Sequence, residues 1–532
     1  DYVEEVACQV DDLGYDVTMK ECKLGEHGKC LVVRHEDGSI TAIGNRCSHY
    51  GAPLVSGSLR NGVIICPWHG ACFNASTGDI EDFPGLDSVH KFQVTIHKND
   101  VIVRAKREFL NDNKRNDLIG RECRGNNTHF DRDVRIVIVG GGPSSLTCAE
   151  TLRHNGFYGD VIILSRDVHL PYDRPKLSKN LDVDAEGISL RPPGYYADIG
   201  VRVHTNAEVI GVDVVQKKVR LANQINGLGA EVTYDKLVLA TGGIPKRLEP
   251  TLGWKLRNIF VLRTPEDAKL IREASVGKRV VVVGSSFIAM EVTSYLATQK
   301  LTSSISVICG RRSMVPFEQT LGKRVGEAIM TLHQNEGSVR FFPGVGVCKI
   351  LGDDVVKQVV TSDGQTMDAD VVVLGVGVVP ATRFLRDSEI RLTERGFIQV
   401  DTRMRTKTPH VYAVGDIAMF PMNGGLVNIQ HWQMAHAHGR VAALDIIQSL
   451  ALKIDTVPFF WTVQFGRSLR FAGHANGYND VIVRGSLDDY KFAAYYVRND
   501  VVVAVATMTS DPIAAEFAQR LKAGEAMRRC DI

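Results

Sequence analysis

Long apolar runs are missing from this 532-residue chain. A membrane-spanning helix needs about 20 consecutive apolar residues. The longest candidates, Val280–Val283 and Val371–Val379, are strand-sized and interrupted or bounded by glycine, so no transmembrane segment is expected. Net charge is also missing. The 63 Lys and Arg against 61 Asp and Glu leave +2, which implies no general polyanion surface and indicates no nucleic-acid partner. The 11 cysteines are odd in number and scattered. That argues against a secreted disulfide scaffold and for a reducing, intracellular compartment. The chain opens at Asp1 rather than Met, so the lack of a leader excludes nothing about targeting.

Apolar content of 44% and charged content of 23% are ordinary for globular protein. At roughly 100–200 residues per domain the length predicts three or four domains. Residues 1–106 read as short strands, with hairpin signals at Asp37-Gly38 and Asn99-Asp100. Residues 107–133 are polar and aperiodic and read as a linker. From Val134 apolar strands alternate with helical stretches, the pattern of a parallel α/β sheet. Two such units recur, at 134–153 and 278–297. Strands return from about Ile454, followed by a helical tail at Asp511–Arg529.

Two pairs of potential metal ligands stand in the all-β part, Cys47-Ser48-His49 and Cys66-Pro67-Trp68-His69, 16 residues apart and followed by Gly51 and Gly70. Two thiolates and two imidazoles suit a [2Fe-2S] cluster of Rieske type, in which each iron takes one pair. A structural zinc site takes the same four residues. The order Cys-x-His, Cys-x-x-His favours the cluster. "CSHYGAPL" and "CPWHGACFNASTGDI" resemble the Rieske family almost position by position, over about residues 5–105. The high-potential branch of that family carries a disulfide next to the ligands. Ala52 and Trp68 stand in those places here. It also carries Ser and Tyr hydroxyls that donate to the cluster, where this chain has Ala71 and Phe73. Donors to sulfur stabilise the reduced form, so their loss predicts a low potential. Cys72 reads as a packed thiol.

In the first α/β unit, Gly140-Gly141-Gly142-Pro143-Ser144-Ser145 follows an apolar strand and opens a helix. Small residues there let a backbone approach a pyrophosphate. Gly140 and Gly142 are candidates for that contact, with Ser145 in the third glycine place. Asp167, after the second strand, is the candidate for the adenosine ribose. In the second unit Gly284 and Ser286 open the helix that carries Ala289 and Glu291. An acid after its second strand would favour NADH. Arg311 and Arg312 stand there instead and favour the 2′-phosphate of NADPH. No Cys-x-x-Cys lies in the first unit's helix, where Cys148 is alone, so a dithiol mechanism lacks its redox pair.

"PYDRPKLSKNL", "LVLATGG", "HVYAVGDIA", "VLGVGVVPAT" and "NIQHWQMAHAHGRVAA" resemble ferredoxin-reductase-like flavoproteins in the family's order. That resemblance implies FAD contacts at Arg174, Lys179, Thr241, Gly242, Asp416 and Trp432. It implies nicotinamide-side positions at Glu291, Gly375 and Gly377. Lys179, Glu291 and Trp432 are the catalytic candidates, and His431 is a candidate to tune the flavin. Nearly end to end the chain resembles the Rieske-bearing apoptosis-inducing factor-like family. The resemblance implies a multidomain fold: an all-β Rieske domain (1–106), an FAD domain (134–257 and 386–452), an NAD(P)H domain (258–385) and a C-terminal α+β domain (453–532). Both middle domains are Rossmann-like. It further implies FAD, a [2Fe-2S] cluster and NAD(P)H as cofactors, an unknown electron acceptor, a mitochondrial or cytoplasmic setting and a link to apoptosis. The expected activity is electron transfer from NAD(P)H through FAD to the chain's own cluster. The competing reading is a redox sensor, in which NAD(P)H binding controls conformation or partner contacts.

An EPR-monitored redox titration tests the missing hydroxyl donors. The midpoint is expected toward the lower end of the Rieske span of roughly −150 to +300 mV. A value near the upper end would show that Ala71 and Phe73 do not set it.

Overall fold

The computed structural model describes residues 1–16, 18–116, 133–225, 227–447 and 453–532. Residues 117–132, within the expected linker, lie outside the described residues. The N-terminal domain is all-β. A six-stranded antiparallel sheet runs from the edge strand Tyr2–Gln9 to the edge strand Thr18–Leu24, and a four-stranded sheet spans Ser58–Asp82. Both expected hairpins form: Gly28–Arg34 pairs with Ile40–Gly44, and Lys91–His97 with Asp100–Lys106.

Two parallel five-stranded sheets make the body. In the first, Arg135–Val139 is central, flanked by Asp160–Leu164 and Lys236–Leu239. In the second, Arg279–Val283 is central, between Ser304–Gly310 and Val371–Leu374. These strands are continuous Val, Ile and Leu runs, as strands covered on both faces must be. Each central strand ends in a glycine turn that feeds a 12-residue helix, Pro143–His154 and Phe287–Thr298. The turns are tight because backbone approaches backbone. A Cβ on Gly140 would stand 2.2 Å from the Ala240 carbonyl oxygen, and one on Gly284 2.3 Å from that of Gly375. A two-stranded ribbon, Gly243–Pro245 against Val378–Pro380, joins the two sheets' domains.

The C-terminal domain is a five-stranded antiparallel sheet from Phe459–Gln464 to Val501–Met508, covered by the helix Ile513–Lys522. Its aliphatic and aromatic residues share a core with the second α/β domain, through Phe471, Phe492 and Tyr496. Among the described residues no helix is long and apolar enough to cross a membrane.

The all-β domain rests on the rest of the chain through buried polar groups. Arg191 lies 2.6 Å from Asp87 of the all-β domain and 2.6 Å from Glu150 of the first α/β domain. Gln433 donates to the Phe83 carbonyl (3.3 Å), and Phe83 stacks on His436. On the other side, Gln519 donates to the Val63 carbonyl at 2.7 Å. Residues 107–116 of the expected linker cling to the same domain. Asn113 donates to the Cys47 carbonyl, and Arg115 pairs with Asp79.

Candidate active site and metal centre

The two Cys/His loops converge at the edge of the all-β domain. The Nδ1 atoms of His49 and His69 stand 3.1 Å apart. Burial pushes both imidazoles far toward the neutral form, His49 to about 3, so both keep a lone pair for a metal. The thiols of Cys47 and Cys66 are buried against each other. Backbone N–H groups of His49 and Tyr50 point at the first sulfur, and those of Trp68 and His69 at the second. Such donors stabilise thiolates. Among the described residues no three His, Cys, Asp or Glu side chains gather around a single ion. Two thiols facing two neutral imidazoles are the donor set of a [2Fe-2S] cluster of Rieske type. Ala71 and Phe73 are fully buried beside the loops and bring no hydroxyl. Cys72 is buried, its thiol pushed up by desolvation and bonded to the Gly70 carbonyl.

A cavity of about 960 Å³ runs between the two α/β domains and the C-terminal domain. Its walls bring together many of the expected residues: Gly142, Arg174, Lys179, Gly242, Ser286, Glu291, Gly377, Asp416, His431 and Trp432. Gly142 caps the helix Pro143–His154 without a side-chain bond, which leaves N–H groups free for an anion. Two cations face the same region. Arg174 makes long contacts, with the Asp167 carboxylate and the Tyr172 hydroxyl, both at 3.4 Å. Arg263 has no carboxylate within salt-bridge distance among the described residues. Desolvation and the neighbouring Arg174 push it down to about 10. Half-buried, weakly paired guanidinium groups beside an open helix N-terminus fit a pyrophosphate. Asp416 lies on the same wall with its carboxyl raised by burial.

Glu291 is buried and joins three domains. It accepts from Lys179 (2.9 Å), Ser178 and Thr462 (2.7 Å). His431 begins the helix Trp432–Ile446 but makes no side-chain cap bond. Burial and Lys179 push its imidazole down to about 3.

Several expected residues stand off the cavity wall. Ser145 is fully buried with its hydroxyl unpartnered among the described residues. Asp167 accepts from the Tyr172 hydroxyl at 2.9 Å. Thr241 donates to the Ala381 carbonyl at 2.8 Å and so ties the FAD-side turn to the interdomain ribbon. Gly140, Gly284 and Gly375 shape the turns from behind. Arg311 and Arg312 are exposed after the strand Ser304–Gly310, outside the cavity walls.

Two of the cavity-lining residues that the sequence did not single out bear on its chemistry. One is Arg263. The other is Trp461, whose ring stands 4.2 Å from His69, 5.9 Å from His49 and 5.8 Å from His431. Its only sequence signal is the aromatic run Phe459-Phe460-Trp461 at the start of the C-terminal domain.

An α/β body with two dinucleotide turns and an all-β head with a Cys₂His₂ cluster site defines a flavin-dependent pyridine nucleotide oxidoreductase with a Rieske domain. Family models agree: pyridine nucleotide-disulphide oxidoreductase over residues 134–439, Rieske [2Fe-2S] domain over 4–93 and reductase C-terminal over 459–529. Apoptosis-inducing factor 3 of Homo sapiens is 45% identical across 100% of this chain and 86% of its own length. Ferredoxin--NAD(P)(+) reductase fdr of Sphingomonas sp is 30% identical over 71% of this chain and 89% of its own. The putidaredoxin reductase chain of a covalent putidaredoxin reductase-putidaredoxin complex superposes with a TM-score of 0.68. It is 27% identical and covers 74% of this chain and 94% of its own. The chain belongs to the Rieske-bearing apoptosis-inducing factor-like family of pyridine nucleotide-disulphide oxidoreductases. It is a ferredoxin-reductase-like NAD(P)H oxidoreductase, and FAD, NAD(P)H and a [2Fe-2S] cluster are its cofactors.

Arg263→Gln is expected to weaken FAD binding by about 1.5–3 kcal/mol, the worth of a charged hydrogen bond. Titration of the apoprotein with FAD measures it. An unchanged Kd would remove Arg263 from the pyrophosphate cradle.

Proposed function

We propose that this chain carries electrons from NAD(P)H through FAD to its own Rieske cluster, and from there to an outside acceptor. The observation that carries this reading is Trp461, which lines the cavity on one side and packs on His69, a ligand candidate, on the other. The bound groups supply the chemistry, hydride transfer between nicotinamide and flavin and single-electron transfer to the cluster. The protein binds, orients and excludes water. Gly142, Arg174 and Arg263 would hold the FAD pyrophosphate, Asp416 the ribityl chain and Asp167 the adenosine ribose. Gly284, Ser286, Gly375 and Gly377 would hold the nicotinamide dinucleotide. Lys179, held by Glu291 on the cavity wall, would place its ammonium where it could face negative charge on a bound flavin. Cys47, His49, Cys66 and His69 would hold the cluster. The name of the relatives adds a link to apoptosis, which this electron chain would serve.

In an anaerobic NADPH titration of cluster-intact protein, flavin absorbance should bleach first and the reduced-cluster EPR signal should follow. A cluster that stays oxidised while the flavin is fully reduced would sink the reading and favour the sensor. Arg311 and Arg312, exposed where the 2′-phosphate of NADPH would lie, support NADPH as the donor. Arg311→Glu should lower the NADPH/NADH ratio of kcat/KM by about tenfold or more, as loss of a charge-assisted bond requires. A wild-type preference for NADH would exclude the assignment.

A further inference from the structure

The first cluster loop is fastened to the flavin body at both residues that flank its histidine. Tyr50 stacks on His49 at 3.8 Å with the rings 16° apart. Its hydroxyl crosses the domain boundary and donates to Asp173. Asp173 is buried, and its second oxygen has no partner among the described residues. The nearest cation is Lys176, 3.7 Å away. On the other flank, the Ser48 hydroxyl donates to the Asp87 carbonyl at 2.5 Å. The Asp87 carboxylate in turn pairs with Arg191, which Glu150 holds from the body side. Both side chains of the Arg191–Asp87 pair are only 7% exposed. The second loop is held as well: Arg470 donates to the Trp68 carbonyl, and Phe459 lies so close to Gly70 that a Cβ there would stand 2.7 Å away.

We propose that Tyr50 and Asp87 are positioning residues that bolt the cluster in one place against the flavin body, so that it receives electrons without swinging. This rests on the electron chain proposed above. A domain that swings out must break a buried ion pair and expose a buried carboxylate. Buried polar contacts of this kind select one register. Closeness then comes from the fold, and transfer needs no search for a productive pose.

Stopped-flow mixing with NADPH, followed at flavin and cluster wavelengths in buffers of rising glycerol content, tests this. In the wild type the flavin-to-cluster rate should not change with viscosity. Tyr50→Phe and Asp87→Asn should each slow that step by about tenfold or more, because small displacements are costly in a positioned reaction, and should make it viscosity-dependent. Flavin reduction by NADPH and the cluster midpoint potential should stay as in the wild type, which separates positioning from damage to either cofactor. A wild-type rate that falls in proportion to viscosity would overturn the proposal. So would wild-type transfer rates in both variants, or a slowing that merely tracks a shifted midpoint. The wild-type viscosity series needs no variant and stands if either one fails to fold. A wild-type cluster that never accepts an electron is a different result and refutes the electron chain itself.

Discussion

The packing of Trp461 on His69 ties the molecule together. The tryptophan belongs to the C-terminal sheet, the histidine to the all-β domain, and the cavity behind them to the two dinucleotide-binding domains. The contact exists only if all four units dock as they do. Neighbouring contacts obey the same demand, notably Phe459 against the glycine that follows His69. The cluster loops are therefore completed by the body and are not carried as an independent module.

Charge in the cavity explains why the protein alone is incomplete. Arg174 and Arg263 are half-buried cations with at most a long carboxylate contact among the described residues, beside a helix start whose N–H groups lack a side-chain cap. Such groups are costly when unmet and strongly favourable when an anion arrives. Glu291 shows the opposite solution. Its carboxylate is met by a lysine and a serine of the FAD domain and a threonine of the C-terminal domain. The first arrangement leaves space for a ligand, and the second fixes the frame around it. Sites that break local rules of pairing are where function is expected.

What was legible in the sequence was local. A glycine turn after an apolar strand has one use in this class of fold, and both turns form as expected. Two Cys/His pairs with their glycines also speak for themselves. What stayed hidden depends on partners far along the chain. Nothing near residue 461 tells that its ring meets residue 69, and nothing near Arg263 tells that its carboxylate partners are missing. Tyr50 reads as part of a loop motif until Asp173, 123 residues later, is seen to accept its hydroxyl. Ser145 and Thr241 show the converse. Motif position made them cofactor candidates; in the fold one is fully buried and the other ties a turn to the interdomain ribbon.

In the proposed electron chain, carrying the acceptor on the same chain would change the kinetics as well as the geometry. A separate ferredoxin must find its reductase by diffusion, often along complementary charge, and that encounter weakens as salt rises. Here the head is covalently joined to the body, so its local concentration is set by the chain and not by expression level or ionic strength. The Arg191–Asp87 pair between head and body is buried, where mobile ions screen it little. Internal delivery in that chain would be a first-order process, equally fast in dilute and crowded surroundings. Dependence on salt and on partner abundance would fall on the single step at which the cluster hands its electron onward.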